Sequence, residues 1–201
     1  MKNRAIMGLV AAAWLIAGSA MAETFQSFVG TCLATNGEPQ AVATAAKAGD
    51  WFEVPAEALG DMGEEFRDPA LYINFDPSKL KEAAPDAPLE VLVTGWGDGK
   101  TTLEVDGLRL DACGLLSPAA DSRALSRDVT SHLGFSPTTR DGATVWLYSR
   151  TPGGFVSEAA LMDLDDEAAV AAVHERKLYV LYIIDEGDMA GLILGTIRPA
   201  P

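Results

Sequence analysis

Histidine and cysteine, the side chains best poised for acid–base, metal or nucleophilic chemistry near neutral pH, are few in this chain. His132 and His174 are the only two histidines. A zinc site or a catalytic triad would need one or both, and no local spacing such as HExxH supplies the remaining ligands. His132 falls at the edge of an apolar helix face, and His174 sits in HERK among charged neighbours, where exposure is the ordinary outcome. The GxSxG and SxxK patterns of serine hydrolases are both absent. A hydrolase would therefore have to assemble its site from distant residues, with His132 or His174 as base and Asp or Glu partners.

Three other stretches invite a chemical reading. Thr94 to Thr102, TGWGDGKTT, has the lysine and threonines of a phosphate-binding loop, but Thr94 stands where the first glycine is required, and strand pattern follows where a helix should begin. A glycine-rich hairpin turn accounts for it better. The acidic run Asp163-Leu164-Asp165-Asp166-Glu167 lacks the glycine and distal glutamate of a calcium loop, and carboxylates are favourable at a helix N-terminus in any case. No cofactor motif is present, and none is expected. Finally, Cys32 and Cys113 are the only cysteines. A nucleophilic thiol needs a nearby base, and neither has a histidine close in sequence. In an exported chain two cysteines most simply pair, and a Cys32–Cys113 bond would close a loop of about 80 residues for roughly 4 kcal/mol in the chain-entropy model.

Export itself is read from the first 22 residues. Lys2 and Arg4 form a basic start, Ala5 to Ala17 an apolar run, and Ala20-Met21-Ala22 a small-x-small cleavage signal. Residues 1–22 are thus expected to be a signal peptide and 23–201 a single secreted domain, in the periplasm or outside the cell, with no stable membrane span after cleavage. Two of the 15 basic residues and none of the 29 acidic ones lie in the leader, so the remaining 179 residues carry a formal charge of −16. Such a surface is repelled by nucleic acid and by anionic lipid. The partners left are another envelope protein or a small ligand.

The elements that must position these residues follow from periodicity. Phe25, Phe28, Val29, Cys32 and Leu33 share one helix face, Asn36-Gly37 stops that helix, and Pro39 opens a second one bearing Val42, Ala45, Ala46 and Gly49. Residues 52–82 then read as a long excursion with one short strand at 71–75. Ala83 to Pro88 is a turn-rich spacer. From Leu89 the period becomes two, predicting a three-stranded meander through Leu103 and Val105 to Ala112. Strict alternation puts Cys113 on the face of Arg109 and Asp111, which requires either a bulge near Ala112 or a helix covering that face. Ser117-Pro118 starts a helix running to Leu133. Strands are expected at 144–149 and 155–162, a short helix after Asp165, and a C-terminal hairpin of 178–184 with 192–197. The apolar run LYVLYII at 178–184 belongs deep in the sheet, with both faces covered.

The fold expected is α+β: antiparallel sheet with an N-terminal helical hairpin, one disulfide, and an arrangement of two helix-then-three-strand halves. Phe66, Tyr72, Phe75 and Trp96 form the candidate binding surface. The first three lie in the long excursion as apolar anchors with Glu64, Glu65 and Arg67 as a polar rim, and Trp96 stands beside a hairpin turn.

The leader, Phe25-x-x-Phe28-x-x-x-Cys32, the Ala-rich segment ending Gly49-Asp50-Trp51, and the second cysteine together resemble small secreted proteins of proteobacteria without an assigned role. The resemblance implies a paired cysteine and a bacterial envelope location, and it carries over no catalytic residue. The function expected is that of a non-catalytic binding or envelope accessory domain.

Overall fold

The structure, a computed structural model, describes residues 23–55, 66–76 and 89–200. The leader, the spacer at 83–88 and the rim residues Glu64 and Glu65 lie outside the described residues.

The first helix, α1, is α-helical over residues 23–28 and widens into a π turn at Val29–Leu33. The wider turn lets three successive residues, Thr31, Cys32 and Leu33, all face inward. Asn36 and Gly37 both adopt left-handed backbone, φ 56° and 67°, and reverse the chain as expected. The Gly37 amide donates to Cys32 O at 2.9 Å. Pro39 then opens α2 (Pro39–Ala48).

All strands among the described residues join one antiparallel sheet. In chain order they are β1 (Phe52–Val54), β2 (Arg67–Ile73), β3 (Val91–Asp98), β4 (Leu108–Ser117), β5 (Thr138–Arg140), β6 (Ala143–Thr151), β7 (Gly154–Ser157), β8 (Leu178–Glu186) and β9 (Met189–Pro199). They lie side by side as β1-β2-β3-β4-β9-β8-β6-β5, with β7 also on β6. The two halves of the chain therefore occupy the two sides of the sheet and meet where β4 pairs β9. Each half begins with helix, but among the described residues the first contributes four strands and the second five, rather than three each. The excursion after Trp51 holds two paired strands, β1 and β2, of which only part of β2 was expected. Conversely, Leu103 and Val105 are not a strand. A helical turn, α3 (Gly99–Thr102), capped by Asp98 through the Lys100 amide, leads into that connection. Gly99 is required there because a Cβ would lie 2.7 Å from the carbonyl oxygens of Leu108 and Val105.

Cys113 resolves the alternation problem in favour of helical cover. Strand β4 pairs β3 and β9 in unbroken register, without a bulge, and α1 packs over the face that bears Asp111, Cys113 and Leu115. Cys32 and Cys113 are bonded, 5.4 Å apart at Cα, and fully buried.

On the same face lies α4 (Ser122–Leu133). Its N-cap is Asp121, whose carboxylate accepts the Ala124 amide at 2.7 Å. Ser117, expected as the cap, is instead the last residue of β4, and its hydroxyl serves a local turn at Ala119. Phe28, Val42, Tyr72, Leu92, Leu115, Leu125, Trp146 and Leu194 belong to the core formed there. The strand expected at 155–162 ends at Ser157, and residues Ala159–Asp163 form a 3-10 turn. Helix α5 (Asp166–Glu175), capped by Asp165 as expected, then packs Ala172 and Val173 on the opposite sheet face, against Leu108, Leu110, Leu147 and Ile197. Strand β8 lies inside the sheet between β6 and β9. Its cover falls away along the strand, however: Leu178, Tyr179 and Leu181 are buried, while Val180, Tyr182, Ile183 and Ile184 are half-buried. Among the described residues no helix is long and apolar enough to cross a membrane.

Candidate binding cleft around Trp96

Near the start of α2, the helix-covered face of the sheet opens into a cleft of about 590 Å³. Trp96 of β3 lies in its lining. Opposite it in register stand Arg67 on β2 and Asp111 on β4. Guanidinium groups from both flanking strands lie over the indole, Arg67 at 5.0 Å and Arg109 at 4.3 Å from the ring centre. The indole N–H donates to Asp68 Oδ2 at 3.0 Å. Asp68 reaches it because β2 is irregular between Arg67 and Ala70 and Asp68 takes left-handed backbone, φ 50°. An aromatic held by two cations and one hydrogen bond has little rotamer freedom left to lose.

Behind Trp96 runs a chain of ion pairs. Asp111, 2% exposed, receives Arg109 Nε and Nη2 on Oδ1, both at 2.7 Å, and has Arg198 Nε 2.9 Å from Oδ2. The Arg198 Nε contact is ionic only, since that buried N–H makes no aligned hydrogen bond. Arg198 Nη2 donates to Glu38 Oε1 at 2.5 Å, and Lys177 lies 3.6 Å from the same oxygen. The Arg198 bond, helped by Lys177, holds the Glu38 carboxyl below its ordinary value despite the opposing effect of burial. Glu38 stands there because Asn36 and Gly37 turn the chain directly over the β4–β9 seam, where Thr196 donates its hydroxyl to Asn36 O.

The four expected surface residues do not come together. Trp96 is half-buried in the cleft. Tyr72 is 1% exposed in the core beneath the helices, which removes it from any surface. The reason is its place on β2, directly across from Leu92 on the covered face. Phe66 belongs to the other side of the sheet, where it and Pro69 line a hollow of about 50 Å³ with Val93, Gly95, Ala112, Gly114 and Ile193. Phe75 is half-buried in a bend after β2. What Trp96 does meet is Arg67, expected as part of a rim, with Asp68 and Arg109, and Asp111, Arg198 and Glu38 line the same cleft. Strand alternation already placed Arg109 and Asp111 on the face of Cys113, and that was the available signal for the cleft. Glu38 and Arg198, 160 positions apart, had no local signal.

The histidines lie on helices packed against opposite sheet faces. His132 on α4 sits between Phe25 and Phe155, ring centres 5.8 and 5.2 Å away. Loss of water around the ring, and secondarily Arg150, lower its pKa, although the residue as a whole is exposed. Asp128 and Ser131 line the shallow hollow beside it, but no hydrogen bond joins His132 to either among the described residues. His174 is exposed in the last turn of α5. No group of three or more His, Cys, Asp or Glu side chains suited to a metal occurs among the described residues.

No family model matches the chain, and neither a curated protein nor a solved structure matches it.

Proposed function

We propose that this chain is a non-catalytic binding domain of the bacterial envelope and that its ligand or partner seats on the Trp96 cleft. The observation that carries the reading is the fixed indole: Trp96 is clamped by Arg67, Arg109 and Asp68 in the lining of an open cleft. Preset aromatic and arginine side chains are the groups that contribute most at binding sites, because ordering them costs little when the partner arrives. The Arg109–Asp111–Arg198 group, in which Asp111 is buried and both arginines are partly exposed, points the same way. A paired charge out of water gives little net stability compared with apolar packing, so its use here favours geometry over strength. An assembled hydrolase site has less support, since Asp128 and Ser131 line the hollow beside His132 but neither is hydrogen-bonded to it, and His174 is exposed. Envelope placement is favoured by the Cys32–Cys113 bond, since such bonds persist in oxidising compartments, and by the resemblance to small secreted proteobacterial proteins.

The test is retention of envelope components on the immobilised domain, with native protein and the Trp96→Ala and Arg109→Met variants compared. Each variant is checked by thermal melting. Retained material that disappears with either variant while the melt stays within a few degrees supports the cleft. Equal retention by all three proteins removes it.

A further inference from the structure

We propose that a second cleft, on the opposite face of the sheet from Trp96, binds a basic amphipathic peptide: a segment presenting a few large aliphatic side chains beside lysine or arginine. The cleft holds about 570 Å³ between the 3-10 turn with α5 on one side and the connection from α3 to β4 on the other. Leu147, Val180 and Ile197 belong to its sheet side, and Leu161, Met162 and Leu164 to its wall. Leu164 is 44% exposed, one of three large hydrophobic side chains to be so open among the described residues. A hollow of this size and lining takes apolar ligand groups.

The rim decides their sign. Glu104, Asp141 and Asp166 line the opening, and Asp163, Asp165 and Glu167 follow on the adjoining turn. The single cation among the described residues of the lining, Arg140, is spent on its own chain: Nη1 donates to Met162 O at 2.5 Å, and Nε lies 3.9 Å from Asp141. Glu104 stands in left-handed backbone, φ 59°, a conformation unusual for a residue with a long side chain, at the edge of the opening. An apolar floor inside an acidic rim complements aliphatic side chains flanked by cations. The same rim repels anionic lipid and nucleic acid, which the overall acidity of the chain also disfavours. The residues involved are separate from those around Trp96, so this site stands or falls independently of that one.

The test uses the full chain and three fluorescent synthetic peptides followed by anisotropy: one with leucine and lysine at helical spacing, one with every lysine replaced by glutamate, and one with every leucine replaced by serine. The leucine–lysine peptide should bind at least about tenfold more tightly than either control. Leu164→Arg should weaken it by about tenfold or more, and Glu104→Gln with Asp166→Asn should weaken it and flatten its salt dependence. Trp96→Ala should leave it unchanged. Leu164 is exposed and the two rim changes keep side-chain shape, so folding is expected to survive, and melting checks it. Equal affinity for the serine–lysine peptide would show mere attraction to an acidic surface and overturn the proposal. So would equal affinity for the leucine–glutamate peptide, full displacement of the leucine–lysine peptide by dodecyl maltoside with no salt effect, or unchanged binding by Leu164→Arg.

Discussion

Arg150 and Asn36, 114 positions apart, are joined side chain to side chain: Arg150 Nη1 donates to Asn36 Oδ1 at 2.7 Å, while Nη2 reaches the Leu33 carbonyl at 3.2 Å. One guanidinium from the second half of the chain thus satisfies the end of α1 and the left-handed turn after it. The same group lies over Phe155 and Tyr179. Arg150→Met should therefore cost about 1–2 kcal/mol, allowing for its partial exposure. A double-mutant cycle with Asn36→Gly, which keeps the turn and removes the acceptor, should show coupling on the order of 1 kcal/mol by chemical denaturation.

Replacing Cys32 and Cys113 together by alanine should lower stability by about 4 kcal/mol, in line with a cross-link spanning 81 positions. Neither sulfur should react with a thiol label in the folded, unreduced protein, since both residues are fully buried and bonded. Mass spectrometry after labelling, with and without reductant, reads both points.

Gly191 and Gly195 should respond differently to alanine. A Cβ at Gly191 would lie 2.2 Å from Leu115 O and 2.8 Å from Leu116 Cα, so β4 and β9 would have to part. At Gly195 it would meet the side-chain ends of Leu110 and Val180, at 2.5 and 2.8 Å, which can shift. Gly195→Ala should cost about 1–3 kcal/mol and Gly191→Ala clearly more, as urea titration would show.

Acid should weaken the fold in two windows. The lowered pKa of His132 means that the unfolded chain binds its proton first, so stability falls as pH drops below about 6.5 and levels off below the folded value. Glu158, lowered chiefly by its hydrogen bonds from Arg176 and also by Ser149, and Glu38, lowered by Arg198, contribute stability present above their unfolded pKa and lost as pH falls through the lower folded values. Melting temperatures between pH 8 and 3 should show both declines, and His132→Gln should flatten only the upper one.

Period and capping made much of this fold legible. The α1 face, the Asn36-Gly37 stop, α2, the Asp165 cap and the β8–β9 hairpin all follow from local patterns. Where local patterns conflicted with long-range pairing, pairing prevailed. Ser117-Pro118 looks like a helix start, yet Ser117 is bound into β4 opposite Ala190 of β9. Tyr72 looks like a surface aromatic, yet its strand pairs with β3 and turns it inward. Leu103 and Val105 alternate like a strand but have no partner and instead pack beside α5. Trp96 stands out in the sequence for its place near a turn, and the structure sets it in the lining of a cleft. The ion network behind it was half legible, because Arg109 and Asp111 share a strand face, whereas Glu38 and Arg198 meet only through topology.

The sheet is broad, yet its margins are nearly closed to other chains. Strand β1 offers Phe52–Val54 and β5 Thr138–Arg140, three residues each, and β7 adds only Gly154–Ser157. Beyond β1 the margin continues only through Arg67–Ala70 of β2, where Pro69 offers no amide donor, so an intruding strand from another molecule would find few free backbone groups in a row to hold it. In a crowded compartment, where many chains fold at once, a domain with such margins can carry nine strands among its described residues and still resist joining its neighbours into fibrils.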